Sequence, residues 1–272
     1  MLRPPGRDAD TSRAALEFVP LASGSRGNSI LIRGNAGTLL VDAGLDRASL
    51  LDRLDLVRQR ADHIDGLLVT HRHLDHARSA ATMARRHKIP LWATERCLVH
   101  QHRETITTWV RYHPGTTFDV AAYRVTAVRL AHDAPETCGF VIDDGTTRIG
   151  IATDLGTSSG GLVQQFTGLD VLFLEFNHDL ELLQRGPYSE ALKERVQGER
   201  GHLSNEQAAT IVRQVKGPRL RRLYLAHLSE KNNTRELALE AARSAFSETE
   251  LTRIELIVAE QDCPTEPWTR ES

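Results

Sequence analysis

The chain has 272 residues, enough to bury a sizeable core as one large domain or two small ones. A net charge of −2 argues against a generally basic nucleic-acid coat, although a local basic face stays open. The three cysteines (Cys97, Cys138 and Cys263) lack Cys-x-x-Cys spacing and read as free thiols in a reducing compartment; with no membrane-length apolar run and no signal-peptide core, the expected location is the cytoplasm, without a membrane partner.

Residues 1–15 are polar and carry Pro and Gly, and are expected to form a flexible tail. Strand-like runs follow at 16–21, 29–32 and 38–41, separated by Gly, Ser and Asn turns, and a short helix is expected at 48–54. Residues 67–70 are a fully apolar, buried type of strand. Residues 77–87 read as a helix stopped by Pro90, and 91–93 as a short strand. Residues 123–130 alternate apolar and polar. Strands at 139–143 and 148–153 flank Asp144-Gly145, a hairpin signal. Residues 171–174 form another buried strand, and the polar span 185–200 has no periodicity and is a candidate lid. A helix at 205–215 opens on Ser204, a good N-cap, with Gln207 at the third helical position. A strand at 223–226, a helix at 235–246 and a strand at 254–258 complete a single domain over 16–260. Residues 261–272, interrupted by Pro264 and Pro267, are expected as a second flexible tail. Two sets of strands, each followed by helices, predict an α/β fold of two facing sheets with helices outside.

The most informative segment is Thr70-His71-Arg72-His73-Leu74-Asp75-His76, which follows the apolar run Gly66-Leu67-Leu68-Val69. In an extended loop His71 and His73 point the same way and can grip one cation. Asp75 and His76 come where a helix can begin and are placed for a second cation. Imidazole and carboxylate without thiolate suit zinc, manganese, iron or cobalt rather than calcium or magnesium. Polar residues also close other apolar strands: Asp42, His132, Asp154 and His227. Seven groups (His71, His73, Asp75, His76, His132, Asp154 and His227) are enough for two divalent ions per chain with a bridging water, while Asp42 can accept from a ligand imidazole and orient it.

These residues, in this order, resemble the metallo-β-lactamase-fold hydrolases: Val41-Asp42-Ala43-Gly44, the His-x-His-x-Asp-His box, then His132, Asp154 and His227. Leu21-Ala22-Ser23-Gly24-Ser25-Arg26-Gly27-Asn28, Glu175-Phe176-Asn177-His178-Asp179, Arg185-Gly186-Pro187-Tyr188, Arg200-Gly201-His202-Leu203-Ser204-Asn205 and the run from Ala226 through His227 to Thr234 resemble the YycJ/WalJ-like group within them. The resemblance implies a four-layer αββα sandwich of two facing mixed sheets. It also implies a metal-dependent DNA 5′→3′ exonuclease with nucleic acid as its partner. In that pattern His71, His73 and His132 bind one metal, Asp75, His76 and His227 the other, and Asp154 bridges both. A metal-bridging hydroxide is the implied nucleophile. Zinc or manganese is expected, with iron or cobalt as alternatives.

Asp75 and His202 are the catalytic candidates. Gly201-His202-Leu203-Ser204 opens a helix and resembles the proton-donating histidine loop of the tRNA-processing nucleases, so His202 is the expected general acid. Glu175 and His178, past the 171–174 strand, are candidates to support it or the metals. Ser25, Arg26 and Asn28, in a Gly/Ser turn, and Asn232 and Asn233, close after His227, are candidate substrate contacts. The short spacings from His132 to Asp154 and from Asp154 to His202 leave no room for a large inserted domain or substrate arm. A small-molecule hydrolase acting on cyclic phosphodiesters, lactones or thioesters is therefore the alternative reading. No obligate protein partner is inferred.

Overall fold

In a computed structural model, residues 15–97, 106 and 108–270 are described. The expected N-terminal tail lies almost wholly outside them, as do His100 and His102. The first sheet is ordered β14-β1-β2-β3-β4-β5-β6, built from β1 (Glu17–Ala22), β2 (Ser29–Gly34), β3 (Gly37–Val41), β4 (Gly66–Leu68), β5 (Leu91–Ala93), β6 (Trp109–Arg111) and β14 (Trp268–Thr269). The second is ordered β13-β12-β11-β10-β9-β8-β7, from β7 (Thr117–Val120), β8 (Tyr123–Arg129), β9 (Cys138–Asp143), β10 (Arg148–Ala152), β11 (Val171–Glu175), β12 (Arg222–Ala226) and β13 (Glu255–Val258). Both are mixed: β1–β3 pair antiparallel and β3–β6 parallel, β7–β10 antiparallel and β10–β13 parallel.

Alternation along each strand divides the core into layers. Phe18, Leu39 and Val41 point inward and meet Phe140, Phe173 and Tyr224 of the other sheet; the Phe18 ring centroid is 5.2 Å from that of Tyr224. Leu40 and Leu67 point outward against Leu50 and Leu54 of α1 (Arg47–Leu56) and Met83 of α3 (Ala80–His87). On the far side Leu172, Leu174 and Leu225 pack on Leu162 of α4 (Gly160–Gln165), Val212 of α7 (Asn205–Val215) and Ala238 of α8 (Arg235–Arg243). Strands buried on both faces explain the near-continuous apolar runs at 67–70, 171–174 and 223–226. The result is the expected αββα sandwich.

Three features differ from the sequence reading. The helix expected over 77–87 begins only at Ala80, as α3, and a separate short helix, α2 (Leu74–Ala77), precedes it. The carbonyl of Asp75 accepts from the Asn28 N–H at 2.7 Å, and the Ser79 N–H turns instead to the Ala43 carbonyl at 2.8 Å. Backbone from β2 and β3 thus breaks into the helical ladder. The span 185–200 holds a regular helix, α6 (Glu190–Gln197), capped by Ser189; α5 (Leu180–Arg185) precedes it. Residues 261–270 are not a free tail. Thr265 donates to the Pro20 carbonyl, Trp268 is buried, and β14 extends the first sheet antiparallel to β1. Pro264 and Pro267 prevent helix but not extended pairing at a sheet edge. Cys97 and Cys138 are buried free thiols and Cys263 an exposed one. Among the described residues no helix is long and apolar enough to cross a membrane.

Candidate metal centre

The site is assembled from the C-terminal ends of strands in both sheets. Asp42 follows β3, His71 and His73 follow β4, and His132 follows β8. Asp154 follows β10, Glu175 ends β11, and His227 follows β12. Asp42, Asp154 and His227 all take left-handed backbone, with φ of 61°, 63° and 53°. For residues with a Cβ this conformation costs roughly 1–2 kcal/mol each. Such strain persists where the surroundings over-determine it, and here it turns each side chain sharply off its strand.

Asp42 organises the floor. It is buried, and its carboxylate accepts from the Thr70 N–H at 2.8 Å and the Thr70 hydroxyl at 2.9 Å. Its Oδ2 lies 2.7 Å from His76 Nδ1. This fixes His76 with its Nε2 3.0 Å from Asp154 Oδ2. Gly44 is required beside it: a Cβ there would lie 1.7 Å from the Asp75 carbonyl oxygen. His132 Nδ1 is 3.1 Å from the Gly201 carbonyl, to which it donates, leaving Nε2 as an acceptor 3.3 Å from His73 Nδ1. His71 completes this face, its ring 4.7 Å from His73 and 5.3 Å from His132.

Ligand-capable atoms fall into three groups, each within 4.8 Å: His71, His73 and His132; Asp75, His76, Asp154 and His227; and Asp154, Glu175, His202 and His227, of which the last two share Asp154 and His227. One of these atoms, His71 Nε2, is buried without a hydrogen-bond partner, and Asp154 Oδ2, also buried, faces His76 Nε2 at 3.0 Å. Orphaned buried acceptors are rare and call for an unseen partner. The charge state says the same. Burial opposes a proton on His76, yet the charges of Asp154 and Asp42 outweigh it and hold its pKa well above normal. Burial likewise opposes a charged His227, which Asp154 and Asp75 nonetheless push up to about 9. Burial would raise Asp154, but His227 and His76 hold it well below the usual carboxylate range. His71, by contrast, is held well below normal by burial and by His76. Protons on His76 and His227 thus balance buried carboxylate charge that a divalent cation would balance in their place. The nitrogen and oxygen donor set fits such a cation.

His202 sits in the turn leading into α7, whose N-cap Ser204 forms a full capping box with Gln207. Its Nδ1 lies 2.6 Å from Glu175 Oε1, and Glu175 Oε2 accepts from the Leu155 N–H. Burial works against a proton on His202, but Glu175 prevails and its pKa is raised. The ring lies 5.4 Å from His132 and stacks on His227 at 5.5 Å.

A Beta-lactamase superfamily domain matches residues 38–228, the stretch that contains this cluster. The chain belongs to the metallo-β-lactamase superfamily. Within that superfamily it falls in the WalJ/YycJ group. It is 32% identical over 235 residues to Exodeoxyribonuclease WalJ of Streptococcus pneumoniae serotype 2 (strain D39 / NCTC 7466), covering 84% of this chain and 87% of that one. It is 30% identical over 237 residues to Exodeoxyribonuclease YycJ of Bacillus anthracis, covering 86% and 90%. The metallo-beta-lactamase fold protein YhfI from Bacillus subtilis superposes with a TM-score of 0.72 at 17% identity, covering 95% of this chain and all of that one. As a member of this metallo-β-lactamase group the chain is a metal-dependent hydrolase.

The seven residues read as metal ligands in this metallo-β-lactamase chain lie together, with Asp42 beneath them and Glu175 behind His202. Other expectations need correction. Asn28, Asn232 and Asn233 are buried rather than facing a substrate. Asn28 Nδ2 donates to the Gly24 and Asp75 carbonyls, and Asn233 exchanges hydrogen bonds with Asn205. Arg26 and Ser25 are exposed, but the Arg26 guanidinium is held by Glu230 and Asp262. His178 is buried with neither ring nitrogen hydrogen-bonded, and burial pushes its pKa down to about 4. Three contributors escaped the sequence reading. The Thr70 hydroxyl joins Asp42 to His71 Nδ1 at 3.0 Å. The Asn177 amide donates to the His227 carbonyl at 3.0 Å. Asp133 Oδ1 lies 3.4 Å from His73 Nε2 and 3.3 Å from His132 Nε2. Their only signal was adjacency to residues already singled out.

Proposed function

We propose that the chain is a dinuclear phosphodiesterase that degrades DNA from a 5′ end. The observation that carries this reading is the triad of His71, His73 and His132 beside the group of Asp75, His76, Asp154 and His227, with the Glu175–His202 hydrogen bond on the same wall. His71, His73 and His132 would hold one ion, Asp75, His76 and His227 the other, with zinc or manganese the natural occupants of such donors. When bound, a pair of divalent ions supplies an acidified water as nucleophile and neutralises phosphoryl charge. The protein's own contribution is then orientation and one proton. Asp42 and Thr70 fix the imidazole of His76, and the Gly201 carbonyl fixes that of His132. Glu175 keeps a proton on His202 Nδ1 and raises the ring's basicity. The protonated ring can then donate from Nε2 to the departing sugar oxygen. A thioester, whose thiolate leaves readily, needs less of this proton, so the pair favours phosphodiester over thioester chemistry. DNA as substrate rests on the two relatives named exodeoxyribonucleases, and the 5′ polarity on the group resemblance.

The test uses purified protein with manganese or zinc on 5′- and 3′-labelled single- and double-stranded DNA and RNA, beside a chromogenic phosphodiester. The expected result is early release of the 5′ label from DNA and progressive shortening of the 3′-labelled strand. Turnover of the chromogenic ester with intact DNA would replace the nuclease reading by a small-molecule phosphodiesterase.

A further inference from the structure

The pole of the molecule opposite the metal cluster carries a cavity of about 640 Å³, lined by Arg221, Arg222, Arg253 and Arg270 together with Trp268 and Leu251. Arg222 opens β12, whose other end leads to His227; five residues at about 3.3 Å each separate the two by roughly 17 Å. The cavity is therefore not the catalytic cleft. Its two carboxylates are engaged. Asp170 accepts from Arg219 at 2.6 Å and from the Arg148 N–H at 2.8 Å, and Glu255 pairs with Arg222. Glu266 stands 3.9 Å from the same arginine.

The other three guanidiniums have no carboxylate partner among the described residues. Arg221 donates to the Pro218 and Leu220 carbonyls, Arg253 to the Pro218 carbonyl, and Arg270 to the Thr147 hydroxyl. These bonds use only part of each five-donor fork, and all three residues line the cavity. Arg222 is 5% exposed, and its Nε is buried with no hydrogen-bond partner. Like charges gathered around a half-enclosed space repel each other, and an anion relieves that repulsion. Planar forks suit the oxygens of phosphate above other anions. The volume lies within the usual range for small-molecule sites, roughly 300–1,000 Å³, and exceeds what inorganic phosphate fills. Trp268 and Leu251 offer apolar contact to the remainder of a larger ligand.

We propose that this cavity is a second, non-catalytic site that binds a small organic phosphate of the size and charge of a nucleoside monophosphate. The inference does not depend on the nuclease reading. It is tested by calorimetric titration of a 5′-mononucleotide, of inorganic phosphate and of a short DNA strand into the wild type, Asp154→Ala, Arg221→Ala/Arg253→Ala and Arg270→Gln. Arg221 and Arg253 are exposed, so the double variant is expected to fold, and its circular dichroism is compared with that of the wild type. Arg270→Gln keeps the side chain's bulk and provides a second, independent probe. The expected result is mononucleotide binding of equal strength in the wild type and Asp154→Ala, at least tenfold weaker in the double variant, weakened also in Arg270→Gln, and decreasing with salt. Inorganic phosphate should bind at the same site more weakly. No mononucleotide binding in the wild type, loss of binding in Asp154→Ala, or unchanged binding in a folded double variant would overturn the proposal. Tighter binding of the DNA strand than of the mononucleotide, with the same sensitivity to the arginine variants, would also overturn it and make this face a strand-tracking surface.

Discussion

Asp154 groups with Asp75, His76 and His227, and its Oδ1 lies 3.9 Å from His132 Nε2 of the other cluster. Replacing it with alanine removes the carboxylate proposed to bridge the two ions. Asp154→Ala should abolish hydrolysis and lower the bound metal, measured by elemental analysis, from an expected two ions per chain; full occupancy with normal turnover would refute the bridging role. His202 separates from it by function. It stands in the turn before α7 and hydrogen-bonds Glu175, outside the seven-ligand set. His202→Ala should leave metal content unchanged while turnover of DNA falls about 10²–10⁴-fold, the usual share of a positioned general acid. A nitrophenyl phosphodiester, whose leaving group needs no proton, should be affected much less. Equal losses on both substrates would make His202 a positioning residue, and loss of an ion would make it a ligand, as its proximity to Asp154 and His227 allows.

At the level of elements, the break between α2 and α3 determines where Asp75 and His76 point. The break exists because Asn28 and Ala43 take over hydrogen bonds that a continuous helix would make for itself. Gly44 lets the two backbones approach. Gly44→Ala should therefore displace α2, cost several kcal/mol in denaturant unfolding and reduce metal affinity, as expected when a side chain is forced into packed backbone; a variant of wild-type stability with both ions bound would show that the approach is not needed. This element also marks how far the sequence was readable. Residues 77–87 carry good helical spacing, and nothing local reveals that distant strands interrupt the ladder. The strand-end ligands were legible because an imidazole or carboxylate ending an apolar run has few structural uses. Asn28 and Asn233 were misread because an asparagine near a cleft looks alike whether it faces a substrate or locks two loops. Helix α6 was missed because it is short and more stable through its Ser189 cap than through any apolar face.

For the whole molecule, the site lies on a seam between two sheets, so ions bound there would tie the segment after β4 to β8, β10 and β12. Binding to the folded state alone adds about 2.7 kcal/mol at a hundredfold excess over Kd. At about 2–4 °C per kcal/mol for a domain near this size, chelation should lower the midpoint of thermal unfolding by roughly 5–11 °C, and restored metal should recover it. Calorimetry with and without chelator checks this; an unchanged midpoint would indicate a seam that holds without ions. The pairing of β1 with β14 bears on how such a chain is made. Glu17 pairs with Thr269, so residues at nearly opposite ends of the sequence close one sheet. During vectorial synthesis β1 leaves the ribosome long before β14, so its outer edge lacks this partner until residues 268–269 emerge. An uncovered strand edge is a template for pairing with other chains. Release of incomplete chains that lack β14 is therefore the point at which this protein is most exposed to association with its own copies.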